Sequence, residues 1–320
     1  MKKITTILIL SLCSQSAWAW GFLGHRTINY YAVFALPPQI FGFYKTYIEY
    51  IQTHAVDADS RRYMIEEEAC RHYLDCDHYE QSAPLDTIPH YWPDAVNKYT
   101  EDSLLEYGIV PWHVLRMKQR LSQAFKSKDL LYILKTSADI GHYIADAHVP
   151  LHSTSNYNGQ QTNQVGIHAL WESRLPQIFY DSLHKIPGTA QYLSNPQEYI
   201  WGRLSQSYSM VDSVLLLERQ VTALHPGNKY AVEPTGRGTK SVYSIPFSTD
   251  YYYALNNMVE RRMLASIEAV ASFWYTAWVD AGQPDLTEFG NISMEELMKD
   301  EEPKPNPNQK MKGRQEYDVD

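Results

Sequence analysis

The sequence predicts an all-α protein built as a single multi-helix domain. Two observations lead there. Apolar residues recur at three- and four-residue spacing in segment after segment, which places them on one side of a helix. Apolar–polar alternation never persists beyond a few residues, and no internal repeat is found, so neither a sheet nor a solenoid is expected.

The elements follow in order. The opening MKKITTILILSLCSQSAWA has a Lys-Lys start, a short apolar run and a small-x-small end at Ala17-Trp18-Ala19. That pattern predicts a signal peptide over 1–19, cleaved after Ala19, and hence export to the periplasm or the medium. Residues 23–36 carry Ile28, Tyr31, Ala32 and Ala35 at helical spacing and stop at Pro37-Pro38. A second helix is expected over 39–54. Pro84, Pro89 and Pro93 make 79–95 loop-like. Pro111 opens a helix to about 126, with Val114, Met117, Leu121 and Phe125 on one side. Residues 128–147 form the strongest helical pattern, ended by Val149-Pro150. The Ser/Asn/Gly/Gln-rich stretch 153–164 reads as an exposed loop. Helix resumes over 165–183, kinked at Pro176, and again over 196–224. Residues 225–247 hold several Pro and Gly and read as a long loop; a last helix covers 248–281. The main domain therefore spans 20–282. From 283 the chain is polar and then strongly charged, a composition that favours a disordered tail over 283–320.

Composition narrows the functional classes. The apolar fraction of 44% is ordinary for a globular chain, and aromatics reach 13%, with 25 tyrosines. The formal charge of -9 disfavours polyanions and anionic membranes and suits cation capture. No apolar stretch after residue 19 approaches the ~20 residues needed to span a bilayer. Cys13 lies in the leader, and Leu12 before it argues against a lipid anchor. Cys70 and Cys76 can pair in an oxidising compartment or stay reduced; the sequence leaves this open.

The chemistry lies in His and acid pairs. G-H-Y-I-A-D-A-H-V-P-L-H at 141–152 puts His142 and Asp146 four apart on one helical side, and His152 follows the break at Val149-Pro150. His168 and Glu172 form a second such pair in G-I-H-A-L-W-E. A third cluster, H-Y-L-D-C-D-H at 72–78, is preceded by A-V-D-A-D at 55–59. Leader cleavage would leave W-G-F-L-G-H, with the free amine of Trp20 five residues before His25; an α-amine and its own carbonyl can chelate a cation. Imidazole with carboxylate at this density points to zinc rather than calcium. Each pair alone is as well explained as a structural ion pair. His54, His90, His113, His184 and His225 are assigned to packing or ion pairs, and His78 and His148 to packing or support of the ligands.

Taken together, these motifs resemble the superfamily of zinc-dependent phospholipases C and single-strand-specific nucleases. The matches are W-G-F-L-G-H, H-Y-L-D-C-D, H-Y-I-A-D-A-H-V-P-L-H and H-A-L-W-E, in family order over 20–172. The resemblance implies an all-helical fold with three zinc ions in a cleft. It implies that the Trp20 amine and carbonyl with His25 hold one zinc, that Asp57, His72 and His142 hold a second, and that Asp146 bridges the two. His152, His168 and Glu172 then hold the third. Asp146 and Asp57 are the acids assigned to the reacting centre. Asp57 is preferred over Asp59 because it lies fifteen residues before His72, although the offset from Asp59 to Arg62 also resembles the family. Asp75, Asp77 and Asp139 are candidates either to orient ligating imidazoles or to act as solvated or capping acids.

The function so implied is hydrolysis of a phosphodiester by a metal-activated hydroxide, with phospholipid or single-stranded nucleic acid as substrate and no obligate protein partner. Glu172, where the nucleases usually have Asp, and the short stretch between His152 and His168 favour the phospholipase C type. The five-residue offset from Trp20 to His25, and Tyr73 as a base-stacking candidate, favour a nuclease or 3′-nucleotidase. A non-catalytic metal-binding protein is the rival from another class. It predicts saturated sites, whereas the third site has only three protein ligands. A di-iron bundle needs Glu-x-x-His, which does not occur.

Overall fold

The structure, a computed structural model, describes residues 21–287 except 63, 236 and 237, together with 289 and 297. Trp20, the expected leader and nearly all of the expected tail lie outside the described residues. The described chain is all-α apart from one hairpin.

The helices run α1 (Phe22–Ala35), α2 (Pro38–Thr46), α3 (Ile48–Thr53), α4 (Asp57–Arg61), α5 (Cys76–Tyr79), α6 (Trp92–Tyr99), α7 (Glu101–Tyr107), α8 (Val110–Ser127) and α9 (Leu130–Ala147). They continue as α10 (Ile167–Ala169), α11 (Leu175–Phe179), α12 (Pro196–Tyr208), α13 (Val211–Leu224), α14 (Ile245–Ala254) and α15 (Met258–Asp280). Proline stands in the first turn of α2, α6, α8, α12 and α14, where its missing N–H costs nothing and its φ is already helical. Side-chain caps add definition: Asp129 accepts from Tyr132 N–H at 3.0 Å to start α9, and Asn195 from Glu198 N–H at 3.2 Å to start α12.

The α8–α9 hairpin is the scaffold. Lys128 takes the left-handed conformation (φ 53°) and closes α8, so two residues suffice to reverse the chain. α1 and α15 both pack on α9, and α15 also lies along α8. Trp274 of α15 stacks on Tyr44 of α2 at 4.7 Å, and its indole N–H donates to the Ser137 carbonyl of α9 at 3.0 Å. Gly141 lets α1 approach α9 closely: a Cβ there would sit 2.0 Å from Asn29 Oδ1. This contact lies one residue from His142, so packing density and site geometry are set together.

Several expectations are corrected. The helix expected over 39–54 breaks at Tyr47, that over 196–224 at Ser209–Met210, and that over 248–281 at Asn256–Asn257, both at positive φ. Helix returns within the expected 79–95 loop at Trp92. Within 165–183 the helix is shorter and passes through a π-helical turn at Leu170–Arg174. The expected 225–247 loop contains a β-hairpin, β1 (Tyr230–Thr235) and β2 (Gly238–Tyr243), with Tyr230 opposite Tyr243 and Glu233 opposite Lys240. Its cross-strand pairs outweigh the Pro and Gly content that reads as loop. The stretch 153–164 is not simply exposed. Ser153, Thr154, Asn156 and Asn158 are buried because Asp77 accepts from Thr154 Oγ1 and Ser155 N–H, and Asn156 bonds across to Thr162 and Gln161.

Candidate metal centre

α9 supplies the middle of the site. His142 and Asp146, one turn apart, are 0% and 2% exposed. His142 Nδ1 lies 2.8 Å from the Ala55 carbonyl. A carbonyl only accepts, so Nδ1 carries the hydrogen and Nε2 presents its lone pair inward. There Nε2 meets Asp146 Oδ2 at 3.3 Å, Asp59 Oδ1 at 3.6 Å and His72 Nδ1 at 3.1 Å. His25 comes from α1, stacks on the His142 ring at 3.8 Å, and brings Nε2 within 3.3 Å of Asp146 Oδ1. His72 follows the 3₁₀ turn Ala69–Arg71 and places Nδ1 2.9 Å from Asp146 Oδ2. Asp146 thus turns one oxygen to His25 and the other to His72 and His142.

The second nest begins where α9 ends. Val149-Pro150 leads into a 3₁₀ turn that carries His152. His152 Nδ1 donates to the His72 carbonyl at 2.7 Å, and the His152 carbonyl accepts from Leu74 N–H at 3.0 Å. Those two bonds lock the segments together and aim His152 Nε2 at Glu172 Oε2, 3.2 Å away, and at His168 Nε2, 3.1 Å away. His168 Nε2 lies 2.9 Å from Glu172 Oε2.

Three donor sets result: His25, Asp59 and His142; His72, His142 and Asp146; His152, His168 and Glu172, each with its atoms within 4.8 Å of one another. Burial alone would raise the Asp146 carboxyl, but His142 and His152 outweigh it and hold the acid well below the ordinary range. The same balance, with His168 dominant among the partners, lowers Glu172. Burial lowers His142, yet Asp146 and Asp59 push it up to about 9. The donor chemistry fits a zinc-like cation. Facing ring nitrogens 3.1 Å apart admit at most one hydrogen between them, and His25 Nδ1 and His72 Nε2 are buried without a hydrogen-bond partner.

The structure brings together seven of the expected residues: His25, His72, His142, Asp146, His152, His168 and Glu172. Trp20 lies outside the described residues. Asp57 lies apart from the three donor sets. Its Oδ2 pairs with His54 Nδ1 at 2.5 Å and it lines a separate cavity of about 140 Å³ with Arg61, Lys135 and Asp139, whereas Asp59 enters the donor set. Two residues on a helix differ by about 200° in direction, so the acids of D-A-D face opposite ways. Asp77 ties down the chain after His152 rather than orienting an imidazole, and Asp139 pairs with Arg61 at 2.8 Å. Tyr73 is fully buried, its ring packed under Gly108 and its hydroxyl donating to the Glu106 carbonyl, so it offers no stacking surface. His148 donates to the Ile144 carbonyl, and His78 stacks on Tyr107. Cys70 and Cys76 are free and buried, and burial pushes the Cys70 thiol up to about 12. One further acid borders the site without any motif to mark it, Glu68. It is fully buried, with Oε1 3.8 Å from His72 Nε2. Its position four before His72 is the one trace of this in the sequence.

No family model and no curated protein matches the sequence. Among solved structures, the chain is similar to the alpha-toxin of Clostridium perfringens avian strain SWCP, with 12% identity and a TM-score of 0.47 over 85% of this chain and 67% of that one. It is also similar to the alpha-toxin of Clostridium absonum, with 11% identity and a TM-score of 0.45 over 83% of this chain and 65% of that one. The chain thus spans about two thirds of the length of those proteins. No helix among the described residues is long and apolar enough to cross a membrane.

Proposed function

We propose that this chain is an exported, zinc-dependent phosphoric ester hydrolase of phospholipase C type. The observation that carries the reading is the group of His and carboxylate donors gathered around Asp146, with the nest of His152, His168 and Glu172 tied beside it by the bond from His152 Nδ1 to the His72 carbonyl. His25, Asp59, His72, His142 and Asp146 would hold two cations, with the Trp20 amine completing the first, and His152, His168 and Glu172 would hold a third. Zinc bound there supplies Lewis-acid charge and lowers the pKa of water toward neutrality.

The chain's own residues do the positioning. Asp146 shares its two oxygens between the neighbouring donor sets and fixes their separation. The Ala55 and His72 carbonyls hold His142 and His152 in the tautomer that points Nε2 inward. Three protein donors in the nest of His152, His168 and Glu172 is the number typical of catalytic zinc and argues against a closed storage site. A protein thiolate nucleophile is disfavoured, since both cysteines are buried with thiols raised by burial. The lipid preference is supported by Glu172 and by the burial of Tyr73, which removes the aromatic otherwise available to a base.

The test is turnover of phosphatidylcholine and of single-stranded DNA by the zinc-loaded, leader-free protein, with and without chelator. Chelator-sensitive release of phosphocholine is expected. Hydrolysis of DNA alone would move the substrate to nucleic acid, and activity indifferent to chelation would defeat the metal reading.

A further inference from the structure

Glu68 stands in the run Glu66-Glu67-Glu68, which reads as a solvated acidic stretch. Glu66 and Glu67 are indeed exposed, but Glu68 is fully buried behind His72. Its Oε2 accepts from Arg71 Nη1 at 2.5 Å. Its Oε1 accepts from the Tyr143 hydroxyl and lies 3.8 Å from Arg61 Nη2, itself paired with Asp139 at 2.8 Å. Two guanidiniums and a phenol therefore hold one buried carboxylate beside His72.

The two nitrogens of His72 look in different directions. Nδ1 faces Asp146 Oδ2 and His142 Nε2. Nε2 is buried, makes no hydrogen bond, and points toward Glu68 Oε1 at 3.8 Å. A neutral imidazole that offers the Nδ1 lone pair to a cation carries its hydrogen on Nε2. Buried N–H groups almost always have an acceptor. The separation of 3.8 Å is too long for a hydrogen bond, but a shift of about 1 Å closes it.

We propose that Glu68 is a positioning residue: it accepts a hydrogen bond from the Nε2–H of His72 and so commits the Nδ1 lone pair to the cation. Carboxylate–imidazole–metal chains of this kind fix ring orientation and raise ligand basicity. The inference rests on the metal-centre reading above.

Two measurements on the full leader-free chain test it. In the ¹⁵N-labelled, zinc-loaded protein, the ring of His72, identified by loss of its signals in His72→Gln, should show a metal-bound Nδ1 and a slowly exchanging hydrogen on Nε2. A metal-bound Nε2 overturns the proposal, and this readout needs no Glu68 variant to fold. In competition with a chromophoric chelator, Glu68→Gln should weaken one zinc equivalent by about ten- to a hundred-fold. Glu67→Gln, at the exposed neighbouring carboxylate, should stay near wild type. Equal weakening in both variants means general loosening and overturns the role of Glu68, as does wild-type affinity in Glu68→Gln. A wild-type chain that takes no zinc defeats the metal-centre reading itself, whereas the other adverse outcomes leave that reading standing.

Discussion

Replacing Asp146 by Asn tests the organisation of the centre most directly. The change keeps shape and removes one negative charge. That charge is 2% exposed and lies 2.9 Å from His72 Nδ1, 3.3 Å from His142 Nε2 and 3.3 Å from His25 Nε2, but 4.0 Å from the nearest nitrogen of His152. Removing one partner from a buried charge pair costs about 3–5 kcal/mol. At about 1.4 kcal/mol per factor of ten, that is a loss of roughly two to three and a half powers of ten in affinity for a cation bound through Asp146. The two cations flanking Asp146 should both be lost on dialysis, while the one held by His152, His168 and Glu172 is retained. Glu172→Gln should do the reverse. The assay is zinc content after dialysis, followed by chelator competition, with circular dichroism to confirm that the helices persist. Asp146→Asn protein that keeps every zinc equivalent at wild-type affinity would refute the bridging role.

Three further outcomes follow from the same geometry. Asp59→Ala should lower zinc loading, whereas Asp57→Ala should leave it intact and cost no more than about 1 kcal/mol through its partly exposed contact with His54; denaturant melts and zinc content of the two variants separate the roles, and equal zinc loss would refute the assignment. His142 is held up to about 9 in the metal-free chain, so its contribution to stability is complete below its ordinary value of 6.5 and is lost as pH rises through about 9. Metal-free protein should therefore melt lower near pH 10 than near pH 6.5, while zinc, which replaces the proton, should bind more tightly across the same window; a metal-free profile that rises instead contradicts the sign. Gly141→Ala would drive a methyl to 2.0 Å from Asn29 Oδ1, and Asn29 cannot yield freely because its amide donates to the Ala138 carbonyl at 3.1 Å. A loss of about 1–3 kcal/mol is expected in denaturant unfolding, and an unchanged midpoint would show that α1 and α9 can separate at no cost.

The sequence by itself determined the helical class and the two pairs at four-residue spacing, His142 with Asp146 and His168 with Glu172. Both follow from the period of the α-helix, a local property that residues declare wherever they sit. It also marked helix boundaries where Pro37-Pro38 and Val149-Pro150 stop the chain, because proline acts on its immediate neighbours. Tertiary structure alone decided which acid of D-A-D turns inward, since the direction of a short helix depends on what it packs against. It decided that Glu68 is buried while Glu66 and Glu67 are not, and that the polar stretch after His152 folds over Asp77. It also converted a Pro- and Gly-bearing segment into the 230–243 hairpin, because strand pairing is a contact between residues distant in sequence. Convergence of α1, α9 and the turns at His72 and His152 on one small region is likewise a long-range fact: spacing along the chain sets which groups are available, and packing sets which of them meet.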